Sequence, residues 1–288
     1  MRSRFLADLN VTEINAYFDR GGGTALLPVG SQEMHGPHLP TGTDMFITRA
    51  LALKLAEVAD GLVLPDMPYT WAGSTDGFAG TISTDPGSLA RMLEEIILMT
   101  FRGGFRRLAL VSVHGGNNYL LPLLVRRFFE KYGRPIVLLH IGLDDEQAAA
   151  ACGGSEEWGK AAEASLLLAA LQILGQPTLY TVAELAYDDR MPPFPASLLA
   201  MGAPVGYFMQ DPRQHACPSR HTSLRLGREV LERKVQAALP TLQAIDAYAA
   251  ETAGQPNKGW QRESATGNGV WSADCQSARD TGKVGNHD

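Results

Sequence analysis

A loop rich in potential metal ligands follows the first apolar run of the chain. Within twelve residues it carries, among glycines and prolines, Glu33, His35, His38 and Asp44. Carboxylate oxygens and imidazole nitrogens are the ligands that Zn²⁺ and Mn²⁺ accept. Glu33 and His35 are two residues apart, so in extended backbone they project to one side and reach one centre. Asp44 can bridge two ions; alternatively, following Thr43, it only favours a helix start.

His114 is a second candidate ligand, because it directly follows the apolar run Arg107–Val113. Gly115 and Gly116 come next, and glycines allow the backbone to approach a ligand closely. A phosphate-binding loop is the first alternative, but the Lys and Ser/Thr of a P-loop are missing. The second alternative is a core histidine satisfied by backbone groups.

Glu163 is a third candidate, inside the predicted helix Glu156–Leu174. Its neighbours one turn away are Gly159, Leu166 and Leu167, which predicts that its side chain turns toward the core. A buried carboxylate needs a partner, and a metal ion would supply one. The alternative is a glutamate at the face boundary of an amphipathic helix.

Short apolar runs alternate with helical patterns along the first half of the chain. Strands are predicted at Ala25–Val29, Leu62–Leu64, Arg107–Val113 and Pro135–Ile141. Helices are predicted at Thr12–Asp19, Asp44–Ala59, Pro86–Phe101, Tyr119–Tyr132, Glu156–Leu174 and, as one long helix, His221–Ala250. This alternation predicts an α/β fold with a mainly parallel sheet flanked by helices. The loops after the strands then lie at the sheet edge where ligands bind.

Composition limits the remaining classes. The 288 residues, 45% of them hydrophobic, suit one large α/β domain or at most two small ones. The change to a polar, Gly-rich composition after Gly254 predicts one domain over 1–254, followed by a disordered tail over 255–288. A net charge of −6 without a basic stripe predicts no nucleic-acid partner. Three scattered cysteines and no long apolar run predict a cytoplasmic protein without a membrane span, whose metal ligands are nitrogen and oxygen. No GxSxG nucleophile motif occurs, and Cys152 lacks an evident activating partner.

Three segments together resemble the creatininase family of metal-dependent amidohydrolases. Leu26–Asp44 is similar to its first signature, His114–Asn117 to its second, and Gly80–Ser83 to its Gly-Thr-hydrophobic-Ser segment. The resemblance covers residues from about 10 to 250. It implies a layered α/β fold, a metal-dependent hydrolase and assembly as a homo-oligomer, commonly a hexamer.

The resemblance also implies two divalent metal ions per subunit, as Zn²⁺, Mn²⁺ or Fe²⁺. Glu33, Asp44 and His114 would hold one ion, and His35 and Asp44 the other. Creatininase takes its remaining carboxylate from two residues after the second-signature histidine, where this chain has Gly116. Relatives with the His-Gly-Gly-Asn signature can take it from a Glu-Thr-Ser helix, and Glu163 occupies the matching place.

Two departures from the family pattern concern proton transfer. Trp158–Ala161 stands where relatives usually carry His-Ala-Gly-Glu, and Ser74–Asp76 stands where relatives often have a histidine. His38 and Asp76 are therefore the candidate catalytic residues, with Lys160 as a further candidate proton donor. Trp71 and Trp158 are candidate aromatic walls for a small ring, although an isolated tryptophan is equally often part of a core.

The favoured hypothesis is that metal-activated water opens a small cyclic amide. The lost histidine keeps a second enzyme hypothesis open, namely ring opening of a cyclic ketone or lactone such as a polyol-derived dehydro-inosose. A third hypothesis, from a different class, is a binding or structural protein with a vestigial metal site.

Overall fold

Four parallel strands form the centre of the fold. The structure is a computed structural model that describes residues 1–141, 156–187, 206–215 and 222–252, with the backbone alone for 156–162. The strands are β1 (Thr24–Pro28), β2 (Gly61–Val63), β3 (Arg107–Ser112) and β4 (Val137–His140). Their order is β2-β1-β3-β4, and every pairing is parallel.

Helices cover both faces of the sheet. The described helices are α1 (Val11–Asp19), α2 (Thr43–Val58), α3 (Pro86–Arg102), α4 (Asn117–Tyr132), α5 (Glu156–Ile173), α6 (Val182–Leu185), α7 (Leu224–Gln243) and α8 (Ile245–Thr252). Successive strand side chains point to opposite faces. Leu26 and Val111 thus join one apolar cluster with α2, α5 and α7, while Leu27 and Leu110 join another with α1, α3 and α4. The predicted α/β fold with its parallel sheet is confirmed.

The adjacency of β1 and β3 brings two candidate ligand segments together. Leu26 pairs with Ala109, so the loop after β1 and the turn after β3 leave the sheet side by side. Asn117 joins them, because its buried Nδ2 donates hydrogen bonds to the Val29 carbonyl at 3.1 Å and to Ser112 Oγ at 3.0 Å. The first and second signatures are therefore parts of one edge of the sheet.

α7 holds α5, the helix that carries Glu163. Gly227 of α7 lies so close to α5 that an added Cβ would overlap the Ser165 carbonyl. The Ser223 backbone N–H, at the start of α7, donates to Ser165 Oγ at 3.1 Å. Glycine is needed at this crossing because only a bare backbone allows such an approach.

The predicted elements match the observed ones to within a few residues, with one exception. The single long helix predicted over His221–Ala250 is wrong: α7 ends at Gln243 and α8 begins at Ile245. Ala244 between them stays in the broad right-handed region, but its ψ of −8° is far from the roughly −42° of a regular α-helix, and neither glycine nor proline stands at this position in the sequence. The predicted tail 255–288 lies outside the described residues. Within the described ranges, no helix has the length and apolar character needed to cross a membrane.

Candidate metal centre

The loop after β1 is held in a fixed shape by its own backbone and by a neighbouring segment. The Glu33 N–H donates to the Thr41 carbonyl at 2.9 Å, which folds the loop back on itself. The Met34 N–H donates to Thr81 Oγ1 at 2.9 Å. Gly80–Ser83, which the sequence only matched to a family motif, thus supports the loop that carries Glu33 and His35.

Asp44 lies in the first turn of α2 and is buried. This position favours the helix dipole, as the alternative interpretation expects, but it does not account for the direction of the side chain. Its two carboxylate oxygens face different histidines. Oδ1 lies 3.4 Å from His35 Nε2, and Oδ2 lies 2.9 Å from His114 Nδ1.

The His114 ring is oriented by a hydrogen bond at the nitrogen that does not face the carboxylates. Its Nε2 lies 2.9 Å from the Trp71 carbonyl oxygen, an acceptor, so this nitrogen carries the proton. In the neutral ring, Nδ1 then presents a lone pair to Glu33 Oε1 at 3.0 Å and to Asp44 Oδ2 at 2.9 Å. The interpretation as a core histidine accounts only for Nε2.

His35 has the same design with its nitrogens exchanged. Its Nδ1 lies 3.0 Å from the Glu33 backbone carbonyl and donates to it. Its Nε2 faces Asp44 Oδ1 at 3.4 Å and Glu163 Oε1 at 3.5 Å. An outer N–H held by a carbonyl and an inner nitrogen directed at carboxylates is the usual arrangement of a metal-binding histidine.

These contacts form two groups of three candidate ligands that share Asp44. The groups are Glu33, Asp44, His114 and His35, Asp44, Glu163, each with its ligand atoms within 4.8 Å of one another. Asp44 Oδ2 is buried and accepts no well-directed hydrogen bond, although His114 Nδ1 is near. Buried lone pairs that face each other in this way fit a cation between them. The site thus has the ligands for divalent metal ions.

Without metal, the cluster retains protons instead. Burial alone would lower the pKa of His114, but the Asp44 and Glu33 carboxylates outweigh it and raise the pKa from 6.5 to about 10. Burial opposes ionisation of His35 as well, and Asp44 and Glu163 nevertheless raise its pKa well above 6.5. Burial would raise the pKa of Asp44, but His35 and His114 hold it well below its usual range.

These pKa shifts predict that metal binding releases protons. A metal ion needs neutral imidazole, so His35 and His114 must each lose a proton that the metal-free protein holds near pH 7. Calorimetric titration in two buffers of different ionisation enthalpy measures this release. We expect apparent metal affinity to rise with pH up to about 10. Equal binding heats in both buffers would contradict the assignment.

The same shifts set the sign of stability in the metal-free protein. A histidine whose pKa is raised by folding stabilises the fold fully below its unfolded pKa and loses that contribution through its folded pKa. The free energy of unfolding of the metal-free protein, prepared with a chelator, is therefore expected to fall between pH 6.5 and about 10. Denaturant titrations across this range measure it.

Thr75 positions the Glu33 carboxylate. Its buried Oγ1 donates to Glu33 Oε2 at 2.6 Å, which leaves Oε1 to face His114. The neighbouring Asp76, a predicted catalytic residue, is exposed and belongs to none of the ligand groups among the described residues. The sequence singled out this segment, but the short 3-10 turn Gly73–Thr75 directs Thr75 inward.

Replacing Thr75 by Val removes that donor at nearly constant volume. Loss of an outer-shell partner weakens metal binding by about 10- to 100-fold. We expect this loss for the ion at Glu33, measured as a dissociation constant by competition with a chromophoric chelator. Thr75→Ser keeps the hydroxyl and serves as the control. Equal affinities for Thr75→Val and the unmodified protein would show that the hydrogen bond has no role.

The remaining residues that the sequence proposed for proton transfer or as aromatic walls differ in burial and in their contacts. His38 is partly buried, its ring stacks on Tyr187 at a centroid distance of 4.7 Å, and its Nδ1 has no hydrogen-bond partner. Trp71 packs edge-on against Tyr119, and its carbonyl is the acceptor for His114. The side chains of Trp158 and Lys160 lie outside the described residues.

His215 is the candidate ligand that sequence reasoning missed. No motif in the sequence singles it out, but it forms a group with Glu33 and His35 whose ligand atoms lie within 4.8 Å of one another. Its ring lies 4.8 Å from that of His35. It comes from an irregular segment, where neither a helical nor a strand period indicates which side chains point inward.

Gly116 has no room for a side chain. An added Cβ would lie 2.5 Å from His114 Nε2 and 2.6 Å from the Trp71 carbonyl oxygen, the two partners of one hydrogen bond. A carboxylate ligand at this position is therefore sterically excluded unless the loop moves. Glu163, from α5, has its carboxylate within the second group instead.

The fold and the site together place the chain among α/β proteins that have candidate metal ligands at the carboxyl edge of a parallel sheet. The family model described as creatinine amidohydrolase matches residues 7–285, past the boundary predicted at Gly254. The chain belongs to the creatininase family. The domain boundary itself stays a prediction.

Three characterised relatives are similar in sequence. Creatinine amidohydrolase of Pseudomonas putida is 31% identical over 42% of this chain, which spans 48% of that protein, about half its length. Mycofactocin precursor peptide peptidase of Mycolicibacterium smegmatis is 31% identical over 55% of this chain and 76% of its own length. The 3-dehydro-scyllo-inosose hydrolase of Thermotoga maritima is 27% identical over 40% of this chain and 37% of its own.

The fold has a solved counterpart. A variant of creatininase in a Zn-Zn form superimposes with a TM-score of 0.64 and 25% identity, over 88% of this chain and 100% of the other. The predicted creatininase-like layered fold is confirmed by this likeness.

Proposed function

We propose that the chain hydrolyses an amide C–N bond at a site that holds two divalent metal ions. The observation that carries this proposal is Asp44, whose two buried oxygens face separate histidines. Glu33, Asp44 and His114 would hold one ion, and His35, Asp44 and Glu163 the other. Zn²⁺, Mn²⁺ and Fe²⁺ all accept such mixed nitrogen and oxygen ligands.

Metal ions bound here would supply Lewis acidity, which lowers the pKa of water and polarises a carbonyl group. The protein residues supply position and charge. Asp44, Glu33 and Glu163 offset only part of the charge of two divalent ions, so the site favours the negative charge that develops when an amide carbonyl is attacked. The carbonyl acceptors behind His35 and His114 fix both rings in advance.

His38 is the residue best placed to carry the proton to the leaving nitrogen. Its Nδ1 is buried without a partner, and burial lowers its pKa, so the ring is neutral near pH 7 and can accept a proton. Stacking on Tyr187 holds the ring plane. Asp76 and Lys160 are weaker proposals, because Asp76 is exposed and the Lys160 side chain is not described.

An amide substrate agrees with two of the relatives. An amidohydrolase and a peptidase both cut C–N bonds, and the peptidase is matched over 76% of its length. We favour a small cyclic amide, with a short peptide as the other amide candidate. The inosose hydrolase supports the second hypothesis, ring opening of a cyclic ketone or lactone.

A substrate panel with defined metal content tests the proposal. Protein stripped by a chelator and reloaded with Zn²⁺, Mn²⁺ or Fe²⁺ is assayed on creatinine, other small cyclic amides, short peptides, cyclic ketones and lactones. We expect metal-dependent cleavage of an amide, abolished in Glu163→Gln, which keeps the side-chain volume. Cleavage confined to ketones or lactones would support the second hypothesis. Failure to take up metal, with no activity, would indicate a structural homologue.

Location and assembly complete the proposal. We infer a cytoplasmic homo-oligomer, with a hexamer as the state expected for the family, acting on a small molecule and without nucleic-acid or membrane partners. Light scattering coupled to gel filtration measures the assembly, and a monomeric mass would refute it.

A further inference from the structure

His215 is placed at the metal site by a short, well-fixed segment. The 3-10 turn Pro212–Gln214 begins at Asp211, whose side chain accepts from the Arg213 N–H. Upstream, the Met209 N–H donates to the Ser74 carbonyl at 2.9 Å. Ser74 precedes Thr75, the residue that binds Glu33, so one loop anchors both Glu33 and the segment that carries His215.

One nitrogen of His215 has no hydrogen-bond partner. Nδ1 is buried and makes no hydrogen bond. An unsatisfied buried polar atom destabilises the fold unless something binds it. In the neutral ring, the nitrogen that carries no proton has a free lone pair. A neutral imidazole is the form that binds metal.

Two other histidines have the same orphan nitrogen but lack the surroundings. His38 and His140 each have a buried Nδ1 without a hydrogen bond. Neither belongs to a group of candidate ligands among the described residues, whereas His215 lies with Glu33 and His35. The position of the ring against that of His35, at 4.8 Å and tilted by 50°, leaves both imidazoles beside the same space.

We propose that His215 is a further metal ligand. Its group joins His35, proposed for one ion, with Glu33, proposed for the other, and the contact of its ring with the His35 ring assigns it to the ion held by His35, Asp44 and Glu163. This inference rests on the proposed two-ion site. Two imidazoles and two carboxylates would then surround this ion, against one imidazole and two carboxylates at the other ion. The additional nitrogen favours Zn²⁺ there, while the oxygen-richer site suits Mn²⁺.

Replacement of His215 tests the proposal through metal binding rather than through activity. In Co²⁺-loaded protein, His215→Ala is expected to change the visible absorption of one bound ion. It should also weaken the binding of that ion by at least about 10- to 100-fold, the effect of removing a residue that only hydrogen-bonds to a metal ligand. The control is His140→Ala. His140 also has a buried nitrogen without a partner but belongs to no ligand group in the described residues, so its replacement should leave the dissociation constants of both ions unchanged. Unchanged spectrum and affinity in His215→Ala would overturn the proposal.

His215→Cys gives a second, independent readout. A thiolate bound to Co²⁺ produces an intense near-ultraviolet charge-transfer band that imidazole and carboxylate ligands do not produce. We expect this band in His215→Cys after Co²⁺ loading; its absence in folded, Co²⁺-loaded protein would refute the assignment. If the unmodified protein binds two ions and the His215 variants match it, only this inference fails. If the unmodified protein binds fewer than two, the proposed function fails first.

Discussion

Asp44→Asn is expected to abolish tight binding of both metal ions and to reduce hydrolysis to background. Among the described residues, Asp44 is the one residue that belongs to both groups of predicted ligands. The amide has nearly the same shape, but it removes the negative charge and turns one oxygen into an N–H donor. The loss of metal affinity should exceed the ~10–100-fold that is typical when a hydrogen-bond partner of a metal ligand is removed. Metal content after dialysis and a dissociation constant by competition measure it.

Asp85→Asn is the matched control. Asp85 caps α3 at the surface, where Asn caps equally well, so the same chemical change should leave metal content and folding unchanged. One ion retained at full affinity in Asp44→Asn would contradict a bridging role. Loss of the fold would be visible by circular dichroism, and Asp44→Glu, which keeps the charge but moves it, then separates charge from position.

Gly116→Ala is expected to displace His114 and release the ion at Glu33, Asp44 and His114. The new methyl group would press on both partners of the hydrogen bond between His114 Nε2 and the Trp71 carbonyl. The backbone at Gly116, with φ −59° and ψ −30°, suits alanine, so the effect comes from contact and not from backbone strain. We expect binding of that ion to weaken by at least ~10–100-fold.

Gly115→Ala is the adjacent control, because a Cβ there meets nothing within 4 Å. Metal content and the free energy of unfolding are compared for both variants. Equal metal content in the two variants would show that the hydrogen bond behind His114 does not position the ligand.

Three candidate ligands of the site could be predicted from local sequence. Glu33, His35 and Asp44 are close together in the chain, and a dense group of such residues next to a strand is a strong signal. The expectation that Glu33 and His35 share one centre was too simple. In the structure they belong to different groups around Asp44 and meet only in the group with His215.

His114 and Glu163 needed additional knowledge. The buried strand before His114 fixes its position at the sheet edge, and the parallel pairing of β1 and β3 then brings it to Glu33. Glu163 was ambiguous by helical period and gained support only from the family resemblance. Its position depends on the close packing of α5 on α7 at Gly227, a long-range contact that a local pattern does not encode.

Thr75 and His215 could not be predicted. Both lie on irregular backbone, where side-chain direction depends on individual dihedral angles and not on a period. The prediction of Asp76 as a catalytic residue shows the difficulty. Asp76 is exposed to solvent, whereas the adjacent Thr75 donates a hydrogen bond to Glu33.

Metal stoichiometry tests the central claim most directly. Chelator-stripped protein is titrated with Zn²⁺ or Mn²⁺, and the bound metal per chain is determined by elemental analysis at saturation. A two-ion site bridged by Asp44 predicts two equivalents per chain in the unmodified protein and none bound tightly in Asp44→Asn. Saturation at one equivalent, or retention of metal by Asp44→Asn, would contradict it.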